Sequence, residues 1–225
     1  MNKKYELTNE TKKYYGCTLH RIKALKDFGD VKKGDLGGWI EKEYNLSQEG
    51  NCWVYEDAKV FDDARISDNA LVYENAILSD NAMVSENAVI YGNAKVYENA
   101  IVYGVVRVRS EAEVFGHARV SNLIIADNVK VGGSAVVSSF ITINGNTEIT
   151  HNAVINSDSD YMTFKNNWSS GRYFTYTKSN HMWKVGCFYG TGDELIKKAY
   201  EDSEDKGKHY ELYVNLVKEQ ERLEE

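Results

Sequence analysis

The reactive side chains in this 225-residue chain are five histidines, three cysteines and 34 acidic residues. His117 and His151 share the repetitive middle of the sequence with many carboxylates, whereas His20, His181 and His209 stand alone and are assigned no chemistry. Cys17, Cys52 and Cys187 are odd in number and widely spaced, with no CxxC pair, so neither a structural zinc site nor a dithiol redox centre is expected. No GxSxG, HExxH or Cys-His arrangement occurs. Gly34, Gly37 and Gly38 lack the spacing of a phosphate-binding loop and read as a turn. The carboxylates are therefore the chemistry to explain. They recur at Glu56, Asp62, Asp68, Glu74, Asp80, Glu86 and Glu98, at multiples of six residues.

That interval is the period of the elements that must position them. From Trp53 the chain reads WVYEDA, KVFDDA, RISDNA, LVYENA and onward. An aliphatic residue, taken as position one, falls at every sixth place from Val54 to Val120, then after one five-residue step at Ile125, and again every sixth place to Ile155. Position five is small, mostly alanine, and position four is Asp or Asn, a residue that tolerates the left-handed conformation of a tight corner. Each hexad thus predicts a short strand with the alanine and the aliphatic side chain inward, followed by a turn.

These residues resemble the hexapeptide-repeat family. The resemblance implies a left-handed parallel β-helix with three hexads per coil, hence about six triangular coils, over residues 53–160. One departure is that position two, usually glycine in that family, is Tyr, Phe or Ser through residue 103. The stretch GDLGGWIEKEYNLSQEGNCWVY is similar to the opening of the coil in bacterial YdcK-like proteins and in phage and prophage proteins. GCFYGTGDELIKK resembles a C-terminal module of phage-encoded proteins. The expected organisation is mostly β: residues 1–52, N-terminal strands and an irregular first coil through Ile40 and Leu46; residues 53–160, the coil; residues 161–225, a hairpin around Ser179-Asn180 and two helices. The first helix opens on a capping box, Thr191 to Glu194, and the second follows a polar break at Glu201–Lys208. This C-terminal part is expected to cap the coil.

Stacking every eighteenth residue places Trp53, Tyr55, Leu71, Tyr73, Val89 and Tyr91 on one outer face, which turns basic at Arg107 and Arg109. Such an apolar face predicts docking of a partner, of a second copy or of the chain's own terminus. The net charge is −7, and residues 53–160 carry 15 acidic against seven basic residues. Direct nucleic-acid binding, which needs clustered Lys and Arg, is not expected. The N-terminal residues carry no apolar core of a secretory signal, and no apolar run reaches the roughly 20 residues of a membrane span, so a cytoplasmic protein is expected.

Function follows from these faces. The reading is a non-enzymatic interaction protein of phage or prophage type, with no cofactor and no metal. Its acidic corners and aromatic face would occlude a basic, nucleic-acid-binding surface of a host protein, as an anti-defence inhibitor does, or self-associate into a homo-oligomer. The alternatives are an acyltransferase, which the family resemblance implies, and an oligomer that sequesters a small ligand. Residues 53–120 contain no insertion that would form an acceptor loop, and His117 and His151 lie two coils, roughly 10 Å, apart.

Overall fold

A computed structural model describes residues 3–168 and 171–224. The chain divides into two compact units, residues 1–152 and 153–225.

The first unit is a parallel β-solenoid, as the six-residue period predicts. The aliphatic residues and alanines of the repeat, such as Val72, Ala76, Leu78, Ala82 and Ile90, are fully buried. Successive strands are two or three residues long and pair in register with the strand one coil on, Val72 with Ile90 and Ile90 with Val108. The five-residue step shortens that offset by one, so that Val108 pairs with Ile125 and Val120 with Val137. Backbone N–H groups at positions two, four and six each donate to the next coil, as Tyr55 to Val72, Asp57 to Glu74 and Lys59 to Ala76 show. One face is a six-stranded sheet running from Trp53–Val54 to Thr142–Ile143. A second face, Lys59–Val60 to Glu148–Ile149, is extended by three N-terminal strands, β1 (Tyr5–Tyr14), β2 (Cys17–Ala24) and β3 (Leu36–Ile40). β1 and β2 form an antiparallel hairpin turning at Tyr15-Gly16.

The irregular first coil forms at the expected residues: Ile40 pairs with Val60 and Leu46 bridges to Ile66. Gly37 and Gly38, however, are not in a turn; both lie within β3. A Cβ on Gly38 would sit 2.8 Å from the Ala58 carbonyl oxygen and 2.9 Å from that of Tyr55, so glycine is required for close backbone approach. Only Gly34 turns the chain, at φ 98°.

The corner geometry corrects a second expectation. The left-handed residue is position three, not the Asn at position four: Glu56, Asp62, Asp68, Glu74, Asp80, Glu86 and Glu98 all have φ between 52° and 59°. Glycine takes the same place at Gly92, Gly104, Gly116, Gly133 and Gly145. The position-four Asn side chains hydrogen-bond from coil to coil instead, Asn51 to Asn69 at 3.1 Å and Asn69 to Asn87 at 3.3 Å.

The second unit opens on the strand Val154–Ile155 and continues into a four-stranded antiparallel sheet, Tyr161–Lys165, Tyr173–Thr177, Met182–Val185 and Phe188–Gly190. The hairpin forms around residues 178–180, with Thr177 opposite Met182. Helix α1 (Gly192–Asp202) starts on the predicted capping box, Thr191 Oγ1 accepting from the Glu194 N–H and Glu194 Oε2 from the Thr191 N–H. Helix α2 spans Glu204–Glu224, so the polar segment expected as a break is mostly helical and the interruption is Ser203 alone. Gly207 permits this, because a Cβ there would lie 2.2 Å from the Tyr200 ring. The sheet and helices share a core of Phe174, Tyr176, Trp183, Val185, Leu195, Val214 and Val217.

Candidate functional site

The corner carboxylates are the most regular chemical feature of the solenoid. At several corners the N–H of the left-handed residue, which has no ladder carbonyl, is accepted by the acid one coil earlier. The Glu74 N–H donates to Glu56 at 2.9 Å, Glu86 to Asp68 at 3.1 Å, Asp80 to Asp62 at 3.4 Å and Glu98 to Asp80 at 3.0 Å. Acid at this position therefore supports the fold, and it explains why so strained a backbone site carries Asp and Glu rather than Gly alone. The seven residues do not converge. They form three rows on separate edges: Glu56 and Glu74; Asp62, Asp80 and Glu98; Asp68 and Glu86. Among the described residues, none of the seven lies within ion-pair distance of a basic side chain, whereas the neighbouring Asp57 pairs with Lys12 and Lys59, and Asp63 with Lys42.

The aromatic face is only partly available. Trp53 is buried beneath Phe28 and Tyr5, their ring centroids 5.3 and 6.1 Å away, so the chain's own N-terminal segment covers this rung. Tyr55 and Tyr73 stack in parallel at 4.5 Å, and burial pushes the Tyr55 hydroxyl up to about 12. Leu71, Tyr73, Val89 and Tyr91 are half-buried. Arg107 and Arg109 continue the same face and are exposed.

On the second face the hairpin tip forms a wall that sequence reasoning missed. Tyr14 packs on Phe61 with centroids 5.6 Å apart, and Leu19, Trp39 and Phe61 form a small core. A cleft of about 400 Å³ lies beside it, lined by Tyr14, Tyr15, Asp62, Asp80, Tyr97 and Glu113 among others. Next to it, donor atoms of Cys17, Glu41 and Asp62 lie within 4.8 Å of one another, a set of mixed softness that could hold a metal ion. The Lys42 ammonium stands 3.8 Å from Glu41. Burial first, then the charges of Glu41 and Asp62, raises the Cys17 thiol, so it is protonated at neutral pH and is no activated nucleophile. Cys52 is buried and Cys187 exposed; all three thiols are free.

His181 does not stand alone. It takes a left-handed conformation, φ 53°, at the end of the hairpin turn, and its Nδ1 lies 2.9 Å from the Tyr176 hydroxyl and 3.4 Å from Glu221. The Tyr176 hydroxyl donates to Glu221 Oε1 at 2.6 Å, and burial together with that carboxylate raises its pKa. Because the phenol proton goes to Glu221, His181 must present N–H at Nδ1, leaving Nε2 as a proton acceptor. A groove of about 240 Å³ adjoins this trio, lined also by Trp183, Thr191 and Lys218. The signal missed in the sequence is long-range: Tyr176 and Glu221 are 45 residues apart. His117 is exposed and His151 occupies a left-handed corner. Among the described residues, no helix is long and apolar enough to cross a membrane.

Comparison with known proteins agrees with this geometry. Residues 64–80 and 78–92 match the YdcK beta solenoid repeat. Over 76 residues the chain is 41% identical to YdcK of Escherichia coli strain K12, a protein named an uncharacterized acetyltransferase; the match covers 30% of this chain and 23% of that protein. The chain thus spans less than a quarter of the length of that relative. The register, the inward alanines and the matched repeats together make this a parallel β-solenoid whose repeats are similar to those of YdcK.

Proposed function

We propose that this is a non-enzymatic interaction protein whose solenoid presents fixed rows of carboxylates to a basic partner. The observation that carries this reading is that the carboxylates of Glu56, Asp62, Asp68 and Asp80 are held on the backbone N–H of the next corner, and that these four with Glu74, Glu86 and Glu98 lack cationic partners among the described residues. Repeating about every 4.8 Å along each edge, they form preorganised negative rows, which favour electrostatic steering and register with a positively charged groove. A nucleic-acid-binding surface is the groove of that chemistry, and half-exposed Leu71, Tyr73, Val89 and Tyr91 add apolar contact area. A host protein as that partner, and with it an anti-defence role, rests on the resemblance to phage-encoded chains.

The test uses amide replacements that keep the hydrogen-bond acceptor and remove the charge: Glu56→Gln, Asp62→Asn, Glu74→Gln and Asp80→Asn in one chain. A partner captured from host lysate at low salt should elute as salt rises. It should bind the quadruple variant at least tenfold more weakly, and the wild-type chain should displace nucleic acid from it. Binding that is insensitive both to salt and to the four amides would sink the proposal.

A second reading, acetyl transfer, is favoured by the name of the relative and by the cleft beneath the hairpin tip. Calorimetry with acetyl-CoA tests it, and absence of heat removes it. Solution mass separates the readings further, because an oligomer that completes a pocket between copies favours transfer or ligand sequestration.

A further inference from the structure

The single five-residue step has a structural consequence on the outer surface. Position three of that hexad is Asn122, left-handed at φ 56°, and the next residue, Leu123, is already buried in the inward place that alanine fills elsewhere. The residue omitted is therefore position four, the outermost residue of the corner. Along the same edge, position four is Asn51, Asn69 and Asn87 in the early coils, whose amides form the coil-to-coil ladder. On either side of the omission it is Val105 and Phe140, which are 58% and 87% exposed. An amide ladder thus gives way to two apolar side chains flanking a gap.

The gap is a formed groove of about 260 Å³, its walls made by Val105, Arg107, Leu123, Ile124, Phe140 and Ile141. Its shape is fixed by the backbone: the Val105 N–H donates to Asn122 Oδ1 at 3.1 Å, and the Ile141 N–H to the Ser139 carbonyl at 2.8 Å. Arg107 stands on one wall, and Arg109 lies two residues along the same outer face. Both are exposed, and among the described residues neither guanidinium makes a hydrogen bond or an ion pair. The lysines of this acidic coil are matched, Lys59 with Asp57, and Lys95 and Lys130 with Glu113, whereas Arg65 lies over the Tyr44 ring and Arg119, on another face, has no ion pair among the described residues. A guanidinium pair left unmatched beside an apolar groove suits an anionic head group, because the Arg fork donates to carboxylate or phosphate in two-point contact.

We propose that this groove binds a small amphiphilic anion, an alkyl or aryl chain with a carboxylate or phosphate head. The chain lies between Val105 and Phe140 over Ile124, and the head rests on Arg107 and Arg109. The site is independent of the acidic rows, whose seven residues it does not use.

The experiment titrates the full chain with the fluorescent aryl sulfonate 8-anilinonaphthalene-1-sulfonate. It then competes that probe with octanoate, octyl phosphate and octylammonium at equal concentration. Saturable binding displaced by at least one of the two anions and not by the ammonium is expected, and which anion displaces better identifies the head group. Arg107→Gln with Arg109→Gln, and separately Phe140→Ser, should each weaken binding at least tenfold without shifting the thermal unfolding midpoint, since all three side chains are exposed. Lack of probe binding, displacement by octylammonium as readily as by the anions, or affinity unchanged in both variants overturns the proposal.

Discussion

Asp80 offers the sharpest test of why acids occupy the corners. Its backbone is left-handed at φ 56°, its Oδ2 accepts the Glu98 N–H at 3.0 Å, and its own N–H donates to Asp62 at 3.4 Å. A charge-assisted hydrogen bond contributes about 1.5–3 kcal/mol when buried; at this exposed corner solvent screening reduces it to about 1 kcal/mol. Holding a residue with a Cβ left-handed costs about 1 kcal/mol more than holding glycine, and Asp escapes part of that cost through local hydrogen bonding. Asp80→Ala loses the acceptor and the local compensation, so it should destabilise by about 1.5 kcal/mol. Asp80→Gly loses the same acceptor but relieves the strain, and should stay within about 0.5 kcal/mol of the wild type. Asp80→Asn keeps an acceptor and should also stay within about 0.5 kcal/mol. Urea midpoints at constant m-value rank the three variants. Hydrogen exchange at the Glu98 amide should accelerate in the Ala and Gly variants and not in the Asn variant. Equal losses for Ala and Gly would refute the strain argument. A loss in Asn as large as that in Ala would show that charge rather than the acceptor is at work, which would also undercut the amide variants as a clean probe of partner binding.

Alkaline pH should unfold the protein through its tyrosines. Burial holds Tyr5, Tyr97 and Tyr176 above their ordinary range and Tyr55 at about 12, so their stabilisation is complete below an unfolded value of about 10 and is lost as pH rises through the folded values. Thermal midpoints should be flat up to about pH 10 and fall above it, less steeply in Tyr5→Phe; an unchanged midpoint well above that pH contradicts the burial. Gly38→Ala should cost about 3 kcal/mol, because its Cβ meets two backbone carbonyl oxygens. Gly34→Ala, with open space around it and φ 98°, should cost about 1 kcal/mol, and comparable losses would place the close approach elsewhere. Nitrogen NMR of neutral His181 should show the proton on Nδ1, as its contact with Tyr176 and Glu221 requires; a dominant Nε2–H form contradicts that hydrogen-bond order.

The sequence by itself determined the solenoid, its register and its interruption, because these depend on an interval that every hexad repeats. One aliphatic residue and one alanine per six residues can be buried together only if the chain turns at each repeat, and the five-residue step at Ile125 appears unchanged in the pairing of Val108. The absence of proline from the coil belongs to the same logic: positions two, four and six donate N–H to the next coil, and position three has a φ that proline cannot adopt. The capping box at Thr191 was equally legible, being local chemistry. Only the tertiary structure decided which corner residue is left-handed, because Asn at position four and acid at position three both fit a turn until the neighbouring coil supplies the N–H that selects between them. It alone showed that Phe28 and Tyr5 cover Trp53, that Gly37 and Gly38 lie in a strand pressed against the coil, and that Tyr176, His181 and Glu221 meet. Those contacts join residues far apart in the chain, so no periodicity records them, and a groove made by an omitted residue leaves a trace in the sequence only as one missing letter.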